Sequence, residues 1–262
     1  LILTPYYMEL LSPSTPAVED FKGEDLEQNS QPVEYREYEG LLSEENELIT
    51  PPKTKKETVV KVENELYIAT ISSLSGGSIK SFEIKEHLKH DSSFVNLVAP
   101  ENMKNLLLSF KDFNGNQIQL DEGWVLQSKT ENYYIDAVES ITYTNTLNDK
   151  KITKVLTFYP DRFLVDIDID LTAIANNTLA NSYTLTWVGG IPPTEKDSVT
   201  ESTYFYSYLY QGGEMLDVKV SQGETFSNEY KGQTDWVATR SKYFVTCLFD
   251  DSGDQISGST IS

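Results

Sequence analysis

Between Phe163 and Leu171 the chain reads FLVDIDIDL, and one regular conformation gives that order a workable surface. In a strand, successive side chains point to opposite faces. Phe163, Val165, Ile167, Ile169 and Leu171 then share one face, and Asp166, Asp168 and Asp170 share the other. Wound into a helix, the three acids would be scattered around the apolar surface. The segment is therefore a strand with one dry face and one wet face. That pattern belongs to an antiparallel sheet packed on one side.

The same reading extends along the chain. Tyr183, Leu185 and Trp187 alternate with Thr184 and Thr186. Val59–Val62 and Leu66–Ile71 are predicted strands joined across Glu63-Asn64-Glu65. Leu106–Phe113 and Gln117–Leu126 flank Asn114-Gly115, a strong hairpin signal. Ile152–Phe158 runs through a Pro160-Asp161 turn into the alternating strand. No stretch of twelve or more residues carries a helical stripe, and no internal repeat is visible. Strands at this spacing, separated by Gly, Asn and Pro turns, predict an all-β sandwich. The 16 tyrosines fit that class, because aromatic and β-branched residues favour strands.

The pattern begins near Thr58. Residues 12–57 read as an acidic, Pro-rich linker, largely disordered: six of the ten prolines lie at or before Pro52, and no periodicity persists. Residues 1–11, LILTPYYMELL, are about half the length of a membrane span. Tyr6 and Tyr7 match the aromatic belt at a membrane interface. No Lys or Arg occurs before Lys22, so this flank reads as the outside face.

A formal charge of −20 argues against nucleic acid and anionic headgroups as partners. Cys247 is the one cysteine, so no internal disulfide forms. It sits in an apolar run without a cationic neighbour in sequence, and reads as a small core residue rather than a nucleophile.

Few constellations carry chemistry. Asp166, Asp168 and Asp170 would offer three carboxylates to a hard cation, but a straight strand lacks the turning backbone of a calcium loop. His87 and His90, the only histidines, lack an evident third metal ligand. Ser75-Gly76-Gly77-Ser78 has no phosphate-binding Lys, and its glycines read as a tight bend or bulge. No nucleophile elbow, zinc-protease motif, phosphate loop or dinucleotide fingerprint occurs. Tyr204, Tyr206, Tyr208 and Tyr210 share one strand face by period. They either pack on a second layer or form an exposed aromatic row that binds a sugar or an extended peptide.

Three motifs occur in a telling order: the strand pair leading to Gly76-Gly77; TFYPDRFLVDIDIDL from Thr157 to Leu171; and Trp236-Val237-Ala238 followed by Tyr243-Phe244. In this order they resemble the large periplasmic domain of the YidC (YidC/Oxa/Alb) membrane-protein insertases. The resemblance covers most of Thr58–Ser262. It implies an antiparallel, twisted β-supersandwich like that of galactose mutarotase, incomplete at its C-terminal end, with an open edge near Phe249–Ile261. It implies that residues 1–11 end the first transmembrane helix, that 58–262 form a domain in the periplasm, and that the protein is anchored in the bacterial inner membrane. Gly76, Gly77, Trp236, Tyr243 and Phe244 then hold structural roles, with Trp236 in the core. The family's insertion groove lies in five later membrane helices, so this domain would dock or space rather than insert. The partners implied are the Sec translocon (SecYEG), SecDF and nascent membrane proteins; no catalytic residue, metal or cofactor is implied. Two other readings stand beside it. One is a secreted carbohydrate- or protein-binding β-sandwich using the Tyr204–Tyr210 row. The other is an aldose epimerase, whose acid and base must bracket a sugar; His87 and His90 lie too close together in sequence for that.

Overall fold

The computed structural model describes residues 56–99, 104–221, 224–251 and 256–262. The expectations for residues 1–11 and for the linker up to residue 55 lie outside the described residues. All the described residues belong to one compact unit. In chain order the strands are β1 (Val59–Glu63), β2 (Tyr67–Ser72), β3 (Ser78–Leu88), β4 (Phe94–Asn96), β5 (Leu107–Lys111) and β6 (Gln117–Gln119). There follow β7 (Val125–Leu126), β8 (Asn132–Tyr134), β9 (Glu139–Leu147), β10 (Lys150–Phe158), β11 (Val165–Asp170) and β12 (Thr184–Thr186). The last are β13 (Tyr206–Gln211), β14 (Glu214–Val218), β15 (Asn228–Arg240), β16 (Val245–Phe249) and β17 (Ile256–Ile261). One short helix, α1 (Ser198–Ser202), precedes β13. The all-β expectation holds.

The strands form four sheets. The first runs β4-β3-β2-β1-β8, the second β11-β10-β9-β7 and the third β12-β5-β6. In the fourth, β14-β13-β15-β16 are neighbours and β17 also pairs with β15. All pairings are antiparallel except β1 with β8, which is parallel and departs from the expected pattern. The β1–β2 hairpin is held by Asn64. Its Oδ1 accepts from the Leu66 and Tyr67 amides at 2.9 Å, and its Nδ2 donates to the Tyr159 carbonyl at 2.8 Å. A buried amide with three partners costs little and fixes the turn.

One core runs through the first three sheets. Val62, Tyr67, Ala69 and Ile71 meet Leu108, Ile141, Tyr143, Ile152, Leu156 and Phe158, all essentially inaccessible to water. Each large side chain so placed stabilises by roughly 1.5–3 kcal/mol relative to exposure. Val165, Ile167, Ile169 and Leu171 pack against this core from β11 and the residue after it, as the alternation requires.

Two expected boundaries shift. Gln117–Leu126 is not one strand: β6 pairs with β5, β7 pairs with β9, and the chain turns between them at Gly123, whose φ is 83°. Glu57, read as linker, is already tied to the sheet. Its carboxylate accepts from Ser72 Oγ at 2.7 Å and from Lys80 Nζ at 2.9 Å. These two partners hold it below the usual carboxylate range.

Candidate functional site

The Gly76-Gly77 step lies at the centre of the core. β2 ends at Ser72, a 3-10 turn spans Leu74–Gly76, and β3 begins at Ser78. Gly76 and Gly77 have φ of 67° and 104°. A Cβ on Gly76 would lie 2.7 Å from the Trp124 ring; one on Gly77 would lie 2.6 Å from Leu156 Cδ1. Backbone therefore packs directly on side chains, which only glycine permits. The turn is pinned from below by Lys154, whose Nζ donates to the Ser75 carbonyl at 3.0 Å and to the Leu106 carbonyl at 2.5 Å. Lys154 is fully buried, and desolvation pulls its pKa down to about 7. Sequence reading missed this residue. Its signal is a lysine in phase with Ile152, Leu156 and Phe158 on the dry face of β10. Tyr67, stacked on Phe82 at 4.2 Å, has its hydroxyl pushed up to about 12 by burial.

The other motif residues lie elsewhere. Trp236 is on β15 outside the core cluster, half-buried and stacked on Tyr210 at 5.7 Å with an interplanar angle of 6°. The expected core role belongs instead to Trp124, whose Nε1 donates to the Leu120 carbonyl at 2.7 Å. Cys247 is likewise exposed, not a core residue. Both follow from register. Trp236 lies opposite Phe249 and Ala238 opposite Cys247, whereas Val237 and Leu248 form the pair facing the other way, Leu248 being packed on the core.

Tyr243 and Phe244 close the turn between β15 and β16. The Ser241 amide donates to the Phe244 carbonyl at 2.9 Å. The Tyr243 hydroxyl donates to Glu195, and Lys242 Nζ lies 3.4 Å from the same carboxylate. These partners hold Glu195 below the usual carboxylate range, Tyr243 contributing most. The Thr194-Glu195 backbone is fixed in turn by the buried carboxylate of Glu201. It accepts from the Thr194 and Glu195 amides, both at 2.8 Å, and from Thr194 Oγ1 at 2.9 Å. The ring of His87 stands edge-on to Phe244 at 5.6 Å. A shallow cleft of about 510 Å³ separates Glu195 and Tyr243 from His87, His90 and Val95. Both histidines lie on the β3–β4 side of it. Among the described residues, no group of three His, Cys, Asp or Glu side chains is placed to hold a metal.

Of the tyrosine row, Tyr206, Tyr208 and Tyr210 share a face of β13, and Tyr206 stacks on Tyr208 at 5.9 Å. Tyr204 does not join them. It lies in the turn after α1, its amide donating to the Glu201 carbonyl. The three aspartates of β11 face outward and two are engaged: Asp166 accepts from the Tyr159 hydroxyl, and Asp170 accepts from Thr172 Oγ1 at 2.6 Å.

These features define a class: a multi-sheet, mainly antiparallel β-sandwich domain whose marked residues serve packing, turns and one aromatic face. The chain belongs to the YidC periplasmic domain family, whose description matches residues 59–259. It is similar to proteins named Membrane protein insertase YidC. That of Chlorobium limicola is 32% identical over 204 residues, 76% of this chain and 35% of its own length. That of Prosthecochloris aestuarii is 29% identical over 226 residues, 84% of this chain and 37% of its own. That of Chlorobaculum tepidum is 31% identical over 199 residues, 73% of this chain and 33% of its own. The chain spans about a third of the length of these relatives. Among the described residues, no helix is long and apolar enough to cross a membrane.

Proposed function

We propose that the chain is the periplasmic domain of a membrane protein insertase of the bacterial inner membrane, and that this domain docks or spaces rather than inserts. The observation carrying this reading is the family match over residues 59–259, which takes in all four sheets. Insertion itself falls to the remaining two thirds of a protein the length of its relatives. The partners that fit are the Sec translocon, SecDF and nascent membrane proteins. A non-enzymatic role is supported by the relatives' names and by what the motif residues do. Gly76 and Gly77 are consumed by close packing, and Tyr243 ties a surface turn to Glu195.

A sugar-binding reading is less well supported. Stacking on a pyranose uses a free ring face, and Tyr210 and Trp236 each cover one face of the other at 5.7 Å. An epimerase reading fares no better, because His87 and His90 occupy the same side of the cleft.

The test is complementation of an insertase-depleted bacterium. The full-length gene product is expected to restore insertion of a reporter membrane protein. A version in which residues 59–262 are replaced by a flexible linker is expected to retain most of it. Failure of the full-length protein would overturn the insertase assignment. Loss in the linker version as deep as in depletion would overturn the docking or spacing role.

A further inference from the structure

The fourth sheet has two faces of opposite character. Leu209, Val218 and Leu248 point inward, and Leu209 is fully buried. The other face is ordered by register into three cross-strand rows. Met215, Tyr210, Trp236 and Phe249 form the first; Asp217, Tyr208, Ala238 and Cys247 form the second. Tyr206, Arg240 and Val245 form the third, with Lys219 Nζ 5.0 Å from the Tyr206 ring. Met215, Phe249 and Val245 are each more than half exposed. An apolar row thus lies at one end and a basic row at the other. The rows are four residues apart, about 13 Å along the strands.

The basic row is unusual in a chain of net charge −20. Arg240 Nη1 donates to the Tyr208 hydroxyl at 3.2 Å, and Lys219 Nζ to the Thr203 carbonyl at 2.7 Å. Among the described residues, neither cation has a carboxylate within ion-pair distance. Asp217, on the middle row, is the face's own acid. Tyr, Trp, Met and Arg are the residue types that concentrate at the centres of protein–protein interfaces. A bilayer with anionic headgroups is a poorer fit, because the rest of the chain would be repelled from it.

We propose that this face docks a polypeptide partner with two complementary features. Apolar side chains of the partner seat over Met215, Tyr210, Trp236 and Phe249, and a carboxylate about 13 Å away seats over Lys219 and Arg240. The inference rests on the docking role above and assigns it to one surface. β16, the outer strand beside Trp236, pairs only with β15 among the described residues, so its free edge borders the same face.

The experiment places a photo-crosslinking residue at Met215 or Phe249 of the full-length protein in its own membrane. Exposed Phe113, on the β5–β6 turn, is the control position. One discrete polypeptide adduct is expected from the two face positions and none from Phe113. Lys219→Glu with Arg240→Glu is expected to cut the adduct yield about tenfold, because two surface attractions to the partner's carboxylate become repulsions. Lys219→Gln with Arg240→Gln, which keeps long uncharged side chains, is expected to cut it less. Replacing the partner's contacting carboxylate by lysine is expected to restore yield to the Glu/Glu variant. Adducts to lipid or to the same polypeptide, or a yield indifferent to charge reversal, would overturn the proposal. Adducts from Phe113 alone would overturn this face and leave the docking role standing. No polypeptide adduct from any exposed position would overturn both.

Discussion

Trp124, in the turn just before β7, and Trp236, on β15, have opposite surroundings. Trp124 is sealed in the shared core and touches the backbone of Gly76. Trp236 stands on a face that no described layer covers, and its closest ring partner is its cross-strand neighbour Tyr210. An alternating strand fixes which residues share a face, but a second layer decides whether that face is dry. Around β2, β9 and β10 the layers meet. On the outer side of β13, β15 and β16 the aromatic rings shelter one another instead.

Truncating both tryptophans separates the two environments. Trp124→Ala is expected to cost about 3–5 kcal/mol, from lost contact and a cavity that cannot collapse. Trp236→Ala is expected to cost about 1–2 kcal/mol, from the stacked pair and the part of the ring that is buried. Urea unfolding midpoints of the two variants measure the gap, and equal losses would erase the distinction. Next in size is Gly77→Ala. Its Cβ would meet Leu156 at 2.6 Å in a left-handed backbone, so a loss of about 2–3 kcal/mol is expected. Gly213→Ala, in the turn between β13 and β14, has the same backbone sign but open space. It is expected to lose only about 1 kcal/mol, the backbone part alone.

Lys154 sharpens the comparison through pH. Its folded pKa of about 7 lies below its ordinary value of 10.5. Between those values the unfolded chain holds a proton that the folded chain does not, so this group makes stability rise with pH across that window. Below pH 7 both states are protonated, and the cost of the buried charge is full and constant. Lys154→Met should therefore flatten the rise between pH 7 and 10 relative to the parent chain, measured by unfolding at each pH. A parent and variant that track in parallel would mean Lys154 keeps its charge throughout. The smallest effect is expected for Asp168→Asn on the wet face of β11, within about 0.5 kcal/mol by the same measurement.

Much of this was legible in the sequence, for a physical reason: period-two burial leaves its mark on composition. Val165–Leu171 packs as its alternation requires, whereas Phe163, ahead of β11, is exposed; Gly76-Gly77 forms the tight step its residue types require. The assignments that shifted depend on contacts distant in sequence. Trp236 and Cys247 sit in apolar strands, and period alone cannot say which face a second layer will cover. Lys154 shares the dry-face period of Ile152, Leu156 and Phe158, but the Ser75 and Leu106 carbonyls that let a lysine sit there lie far away in the chain. The Gln117–Leu126 run looked continuous until Gly123 sent its two ends to different sheets. Tyr204 matched the tyrosine period but fell in the turn that follows α1.

Cys247, the chain's single thiol, lies on the open Trp236 face between Val245 and Phe249. The direct measurement is the rate at which maleimide labels Cys247 in the folded protein at pH 8, set against the urea-unfolded chain. Partial desolvation raises the thiol's pKa, so some slowing is expected. An open face requires a native rate within about tenfold of the unfolded one. Labelling that waits for global unfolding, and slows with every gain in stability, would show that the face is covered.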